Sequence, residues 1–376
     1  MGRYVDEGKL AGILTVVARR GQIAHFETCG MMDVEAGKPM QPDTIFRIYS
    51  MSKPITSVAV MMLYEEGDFH LTDPISRYIP EFEETKVFVE KTETGLELAD
   101  LERPVTIRDL LTHTSGLAYG IGDPSYVDAL YEKQIWEVGR QRPETTLEEM
   151  VWRIAALPLA HQPGSAWRYS MATDVLGYLV QVVSGMPFEA YLQQRIFEPL
   201  GMVDTDFYVP QGKGERFAAL YGPAKGGGLE RLDVQGVMAF DKPTRRPSGG
   251  GGLVSTASDY MRFSQMLLNK GELDGTRLLG RKTVELMTMN HLPDGLHPSE
   301  DQSAGFGLGF SVVTDVARSQ SLGSVGRYGW GGAANTRFWI DPQEEMIGLL
   351  MLQFMPGGYY PVAEDFNVAV YQAIVE

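Results

Sequence analysis

The stretch "IYSMSKPITSV", Ile48 to Val58, sets a serine and a lysine three positions apart and runs on at once into proline and a periodic apolar segment. Ile55, Val58, Ala59, Met62 and Leu63 recur at helical spacing, and "EEG" at Glu65 to Gly67 supplies a stop, so a helix is expected to begin at Ser50. Pro54 fits its first turn, where a missing N–H is no loss. Residues three apart on a helix share a face, which would bring the Ser50 hydroxyl and the Lys53 amine within hydrogen-bond reach. That geometry suits a nucleophile and its base. The plainer reading is a capping serine followed by a solvated lysine. With each residue at roughly 6% of an average chain, about one S-x-x-K match is expected by chance over this length. Ser50 to Lys53 is the only one present. Its place at a helix start, where N–H groups and the positive dipole end favour developing negative charge, weighs for chemistry.

On the N-terminal side, "ILTVVAR" and "QIAHFETC" read as a hairpin within residues 12–29, joined across Arg20 and Gly21 and preceded by a short helical piece ending near Gly12. On the other side, from about Leu71 to Glu230, helical pieces are separated by proline and glycine. Among them Ala172, Val175, Leu176, Leu179, Val180 and Val183 form one apolar face, with Ser170 as candidate N-cap and Gly185 as stop. "SGGGGL" at Ser248 to Leu253 marks a loop, and "TASDYMRFSQMLLNKG" follows as a capped helix. Then "GLGFSVVT", "NTRFWID" and "MIGLLMLQF" read as strands, and "PVAEDFNVAVYQAIVE" as a terminal amphipathic helix. The expectation is an α/β domain made of residues 1–70 and 231–376, interrupted by a mostly helical domain at 71–230.

At 376 residues, with 44% hydrophobic and 22% charged residues, the chain can bury a deep pocket and has no apolar run of membrane-spanning length. A net charge of −16 argues against nucleic acid or an anionic membrane as partner. Cys29 is the single cysteine, which excludes an internal disulfide and a cysteine-based metal site. The N-terminus lacks the pattern of a signal peptide, so a cytoplasmic location is expected. HExxH, P-loop, strand-linked GxGxxG and GxSxG patterns do not occur. His113 in "LLTHTSGL" reads as a structural hydrogen-bonder.

"FRIYSMSKP", "LLTHTSGL", "WRYSMATDVLGYL", "GGGGLVSTASDYMRF", "GFGLGF" and "GRYGWGGAANTRFWIDP" occur in that order. In this the chain resembles the serine carboxylesterases of family VIII, relatives of class C β-lactamases and DD-peptidases, over nearly its whole length. The resemblance implies a class C β-lactamase-like α/β fold, an antiparallel sheet flanked by N- and C-terminal helices, with the active site in the cleft beside the inserted helical domain. It implies an acyl-serine hydrolase for esters of short to medium acyl chain, needing no metal and no organic cofactor. Ser50 would attack the ester carbonyl, with Lys53 and Tyr169 handling its proton. A serine hydroxyl needs such an adjacent base, and coupled groups of this kind share the task. The backbone N–H groups of Ser50 and Ala333 would form the oxyanion hole, and Trp330, Gly331, Gly332, Tyr119 and Met171 would contact the substrate.

Two departures matter. Trp330, Gly331 and Gly332 stand where the lactamase and peptidase relatives have lysine-threonine-glycine, so the cation that would hold a substrate carboxylate is expected to be absent. Met171 stands where their tyrosine motif ends in asparagine, and none of the 17 tyrosines begins a Y-x-N. Both changes point to simple carboxylic esters over anionic lactams. A β-lactamase, a D-amino-acid peptidase, an acyltransferase using the same nucleophile, and a non-catalytic sensor or scaffold on the same fold are the alternatives. Asp174 is read as a residue suited to the helix dipole. The oligomeric state is left open.

Overall fold

Hydrophobic alternation builds the centre of the molecule. In the computed structural model, which describes residues 1–93, 95–120, 125–232 and 240–375, eight antiparallel strands form one sheet. They are β1 (Gly12–Arg19), β2 (Gln22–Asp33), β3 (Lys38–Pro39), β4 (Ala304–Phe306), β5 (Ser311–Val313), β6 (Tyr328–Gly331), β7 (Arg337–Asp341) and β8 (Met346–Leu352), in the order β4-β5-β6-β7-β8-β1-β2-β3. The expected hairpin is present: Arg20 (φ 50°) and Gly21 (φ 75°) both adopt left-handed conformations, as a two-residue turn matched to strand twist requires.

Successive residues of the central strands face opposite layers. Leu14 and Val16 of β1, Phe338 and Ile340 of β7, and Leu349 and Met351 of β8 join the larger core. Ile13, Trp339, Leu350 and Leu352 join a smaller one on the other face. That smaller core is closed by the N-terminal helix α1 (Gly2–Asp6) through Tyr4 and by the C-terminal helix α5 (Val362–Tyr371) through Val362, Phe366 and Val370. The larger core holds α2 (Ser52–Glu66), α3 (Ala172–Ser184) and α4 (Ala257–Leu268).

Helix α2 is buried on every side from Ser52 to Leu63, as suits a helix placed between a sheet and other helices. Its small polar residues are satisfied by the glycine loop: Leu253 N donates to Ser52 Oγ at 3.1 Å, and Thr56 Oγ1 donates to Gly249 O at 2.9 Å. A Cβ on Gly249 would lie 2.7 Å from Thr173 O, and one on Gly250 would lie 2.4 Å from an Asp174 carboxylate oxygen. The run of glycines is therefore a wedge between α2 and α3, where side chains have no room.

Several boundaries differ from expectation. The α-helix begins at Ser52, and Ser50 lies in a preceding 3₁₀ turn, Tyr49–Met51. The N-terminal helix ends at Asp6, well before Gly12. The segment "GLGFSVVT" keeps only Ser311–Val313 as strand, because Gly309 turns the chain at φ 97° against Ser57. Ser170 does not cap α3; Met171 holds the N-cap position without a side-chain bond, while the Ser170 hydroxyl pairs with His113. Gly185 ends α3 in the left-handed conformation, as expected.

The larger core runs without a break from the sheet into the helices of residues 71–230. Residues 216–223, read from sequence as part of the helical insertion, lie along the sheet's end: Ala219 N bonds to Met32 O, Tyr221 N to Gln353 O and Met355 N to Tyr221 O. Residues 233–239, at the start of the expected second α/β segment, lie outside the described residues. Among the described residues no single helix is long and apolar enough to cross a membrane.

Candidate active site

Tyr49, the residue before Ser50, is held at φ 42°, an unfavourable conformation for a side chain of its size. Its ring is fixed edge-on to Phe240 at 6.4 Å and packs with Leu220 and Ala334. This turn presents Ser50 to the cleft while α2 starts behind it. Strain confined to a residue beside a reactive group is a feature of built sites.

Two donors meet at Ser50 Oγ. The Tyr169 hydroxyl donates to it at 2.7 Å, and Lys53 Nζ donates at 3.3 Å. Lys53 is 1% exposed and also donates to Gly250 O at 2.6 Å. Its ammonium stands 4.5 Å from the Tyr169 ring centroid and 5.4 Å from that of Tyr119. Ser50, Lys53 and Tyr169 are thus brought together, and the solvated-lysine reading is excluded.

Asp174 does more than complement the helix dipole. It is buried in the first turn of α3 and accepts from Ser248 Oγ at 2.5 Å and from Gly250 N at 3.2 Å. Gly250 in turn offers its carbonyl to Lys53. The carboxylate therefore acts on the lysine through the glycine loop, without touching it.

The strand β6 and the turn after it form the opposite wall. A Cβ on Gly332 would lie 2.4 Å from Ile48 O and 2.3 Å from Thr336 Oγ1, so glycine lets the end of β6 reach the backbone beside Ser50. Gly332 N bonds to Thr336 O at 2.7 Å, and Asn335, at φ 65°, closes the turn with its amide donating to Phe354 O at 2.8 Å. Gly331, Gly332 and Ala333 line the cleft together with Ser50, Tyr119, Tyr169 and Trp330.

Aromatic rings continue the wall. Tyr119 stacks on Tyr169 with centroids 5.2 Å apart, Trp330 packs on Tyr169 at 5.6 Å and edge-on to Phe306 at 5.3 Å. Tyr119 is placed by Asp128, which accepts from Tyr119 N and Gly120 N, and by Trp136 Nε1, which donates to Tyr119 O at 2.7 Å. Burial, with Tyr169 and Asp174 adding to it, pushes the Tyr119 phenol well above its ordinary value, so it stays protonated.

Met171 is not part of this wall. It is buried at the start of α3 and lines a second, small pocket of about 30 Å³ with Trp136, Asp174 and Arg246. An apolar side chain at that helix start turns inward, where an amide would have sought a polar partner. Arg337, absent from the sequence reading, does line the cleft with Ser50. The lysine expected to be missing at Trp330 is missing, and Arg337 is a cation on the same wall that the motifs did not point to. The only signal was its register opposite Gly331, which no motif marks.

His113 is the structural residue expected. It is buried, its Nδ1 lies 3.1 Å from Ser170 Oγ, and its ring packs against Tyr169 and Phe306. Burial, then the Lys53 charge, depress it well below 6.5, so the folded protein keeps the imidazole neutral. The unfolded chain takes up a proton below that pH and the folded one does not, so this contribution to stability is complete above pH 6.5 and lost as pH falls through the folded value. Thermal melts from neutral pH down to about pH 5 should show Tm declining, and His113→Gln should make that decline shallower. A variant with an unchanged slope would show that His113 does not titrate with unfolding. Half-buried His161 and His291 are depressed as well and keep part of the slope.

Among the described residues no three histidine, cysteine, aspartate or glutamate side chains gather as a metal site. Comparison with known proteins places the whole chain among relatives of similar length. The chain is 39% identical over 367 residues to Protein Rv1367c of Mycobacterium tuberculosis, covering 93% of this chain and 88% of that one. It is 31% identical over 386 residues to Esterase EstB of Burkholderia gladioli, covering 98% and 91%. Its structure resembles that of EstCE1, a hydrolase with promiscuous acyltransferase activity, at a TM-score of 0.81 and 27% identity over 98% of this chain and 96% of that one. The family model for beta-lactamase matches residues 1–372, and the chain is therefore a member of the beta-lactamase family of serine hydrolases and acyltransferases.

Proposed function

We propose that the protein is a carboxylesterase for esters of short to medium acyl chain. The observation that carries this reading is the pair of donors, Tyr169 and Lys53, converging on one partly exposed serine oxygen in an aromatic cleft. Ser50 Oγ attacks the ester carbonyl as its proton passes to the Lys53–Tyr169 pair, and the oxyanion is met by the N–H groups of Ser50 and Ala333. The alcohol leaves with a proton returned by the pair, and the acyl group remains on Ser50. Water then attacks that acyl group, giving the carboxylic acid and restoring the serine. Lys53 and Tyr169 act as one coupled unit, so neither is named as the sole base. The reaction as written needs neither metal nor organic cofactor.

Acyl transfer is the second reading, supported by the acyltransferase activity named for EstCE1. The two share the acyl-enzyme and differ in whether water or an alcohol accepts the acyl group. Turnover on p-nitrophenyl esters of rising acyl length, with nitrocefin in parallel and a competing alcohol added in a second series, separates these cases. Esterase action predicts Ser50-dependent release of nitrophenol, greatest at short to medium acyl length and far above nitrocefin opening. Nitrocefin faster than every ester would overturn the reading; a new ester formed in preference to free acid would favour transfer.

A further inference from the structure

The cleft continues past Ser50. It has a volume of about 810 Å³ and extends over β6 to Arg327, Arg337 and Glu364. A short ester fills only part of a cavity in this size range. What lies in the outer arm therefore bears on the rest of the substrate.

Arg337 opens β7 and pairs in register with Gly331. A Cβ on Gly331 would lie 3.4 Å from its Nε and 3.6 Å from a terminal nitrogen, so the guanidinium lies across that glycine on the cleft wall. The residue is exposed. Among the described residues its guanidinium makes no hydrogen bond and has no carboxylate within 4.0 Å. Of the charged groups around it, Glu364 favours its positive charge and Arg327 opposes it. Arg327 is committed elsewhere, donating to Leu322 O at 2.8 Å and Asn367 Oδ1 at 2.6 Å. Glu364, in the first turn of α5, is exposed and stands outside ion-pair reach of both arginines. Two cations and one carboxylate leave this arm positive in a chain whose net charge is −16.

A guanidinium carries five N–H donors, no acceptor and a permanent charge. Set on the wall of an open cleft with those donors unclaimed, it matches the two oxygens of a planar carboxylate. We propose that Arg337 makes the outer arm a carboxylate subsite, so that the preferred esters carry an anionic group away from the scissile bond. This rests on the esterase reading and specifies its substrate class. It also replaces, from a different strand, the cation missing at Trp330.

The test compares esters matched in length. Mono-p-nitrophenyl glutarate against p-nitrophenyl pentanoate places the carboxylate on the acyl side, and 3-(butanoyloxy)benzoate against phenyl butanoate places it on the alcohol side. In the wild type the ratio of kcat/KM for anionic over neutral ester should be high for one pair and shrink with added salt. Arg337→Gln should lower that ratio about 10- to 100-fold, chiefly through KM, and Arg337→Lys should keep part of it. A ratio unmoved by Arg337→Gln for both pairs would overturn the subsite while leaving the esterase intact. Should no ester be turned over in a Ser50-dependent way, the esterase reading fails by itself, and binding to Ser50→Ala decides the subsite. There the unreactive amide N-phenylglutaramic acid should bind more tightly than N-phenylpentanamide, and Arg337→Gln should abolish the difference; equal binding in the parent would overturn the subsite.

Discussion

Ser50→Ala should fold normally and lose ester turnover by roughly 10⁶-fold, the scale seen when a catalytic serine is removed from a hydrolase. The substitution deletes the one atom on which Tyr169 and Lys53 converge, at 2.7 Å and 3.3 Å. Little packing is lost, because the hydroxyl faces the cleft and the turn is fixed by Tyr49 and Ile48. A serine-directed phosphonate should add its mass once to the wild type and not to the variant. Turnover within tenfold of wild type in a folded Ser50→Ala protein would end the nucleophile assignment. A phosphonate adduct on the variant would do the same.

Tyr169→Phe should reduce kcat by about 10² to 10⁴, the usual worth of a positioned proton-transfer group. Phenylalanine keeps the ring that Tyr119 and Trp330 pack against, so the aromatic wall survives and only the hydroxyl at Ser50 is gone. A purely structural tyrosine predicts loss of Tm with a normal pH–rate profile. A proton-transfer role predicts the reverse: near-normal Tm, low kcat and an altered pH profile. Unchanged turnover would assign Tyr169 to packing alone.

Much of this was legible because the chain repeats simple periods. The i, i+3, i+4 spacing of Ile55 to Leu63 marked α2, and the hairpin joined across Arg20 and Gly21 followed from two β-rich runs separated by two residues. The serine, lysine and tyrosine were found through motifs, and the structure brings them to one oxygen atom. What the sequence concealed depends on approach between distant segments. Nothing local at Met171 reveals whether a helix start faces a cleft or a core, and it faces the core. Arg337 reads as an ordinary polar strand residue until Gly331 is set opposite it. Ser170 has the chemistry of a cap, yet His113, brought near by another segment, claims its hydroxyl. The glycines at 249–252 look like a flexible loop, although Gly249 and Gly250 form a tight contact with α2 and α3.

That tight contact decides what kind of anchor the lysine has. A carboxylate in the place of the Gly250 carbonyl would gain a proton in acid and release its hold; a peptide oxygen has no proton to gain and carries the same dipole at every pH. Nor can it be exchanged for another residue's chemistry, since every residue supplies the same carbonyl. Evolution or design can therefore retune this lysine only at one remove, by shifting the loop through Asp174 and Ser248. The cleft wall, with Trp330 and Arg337, remains free to vary with the substrate.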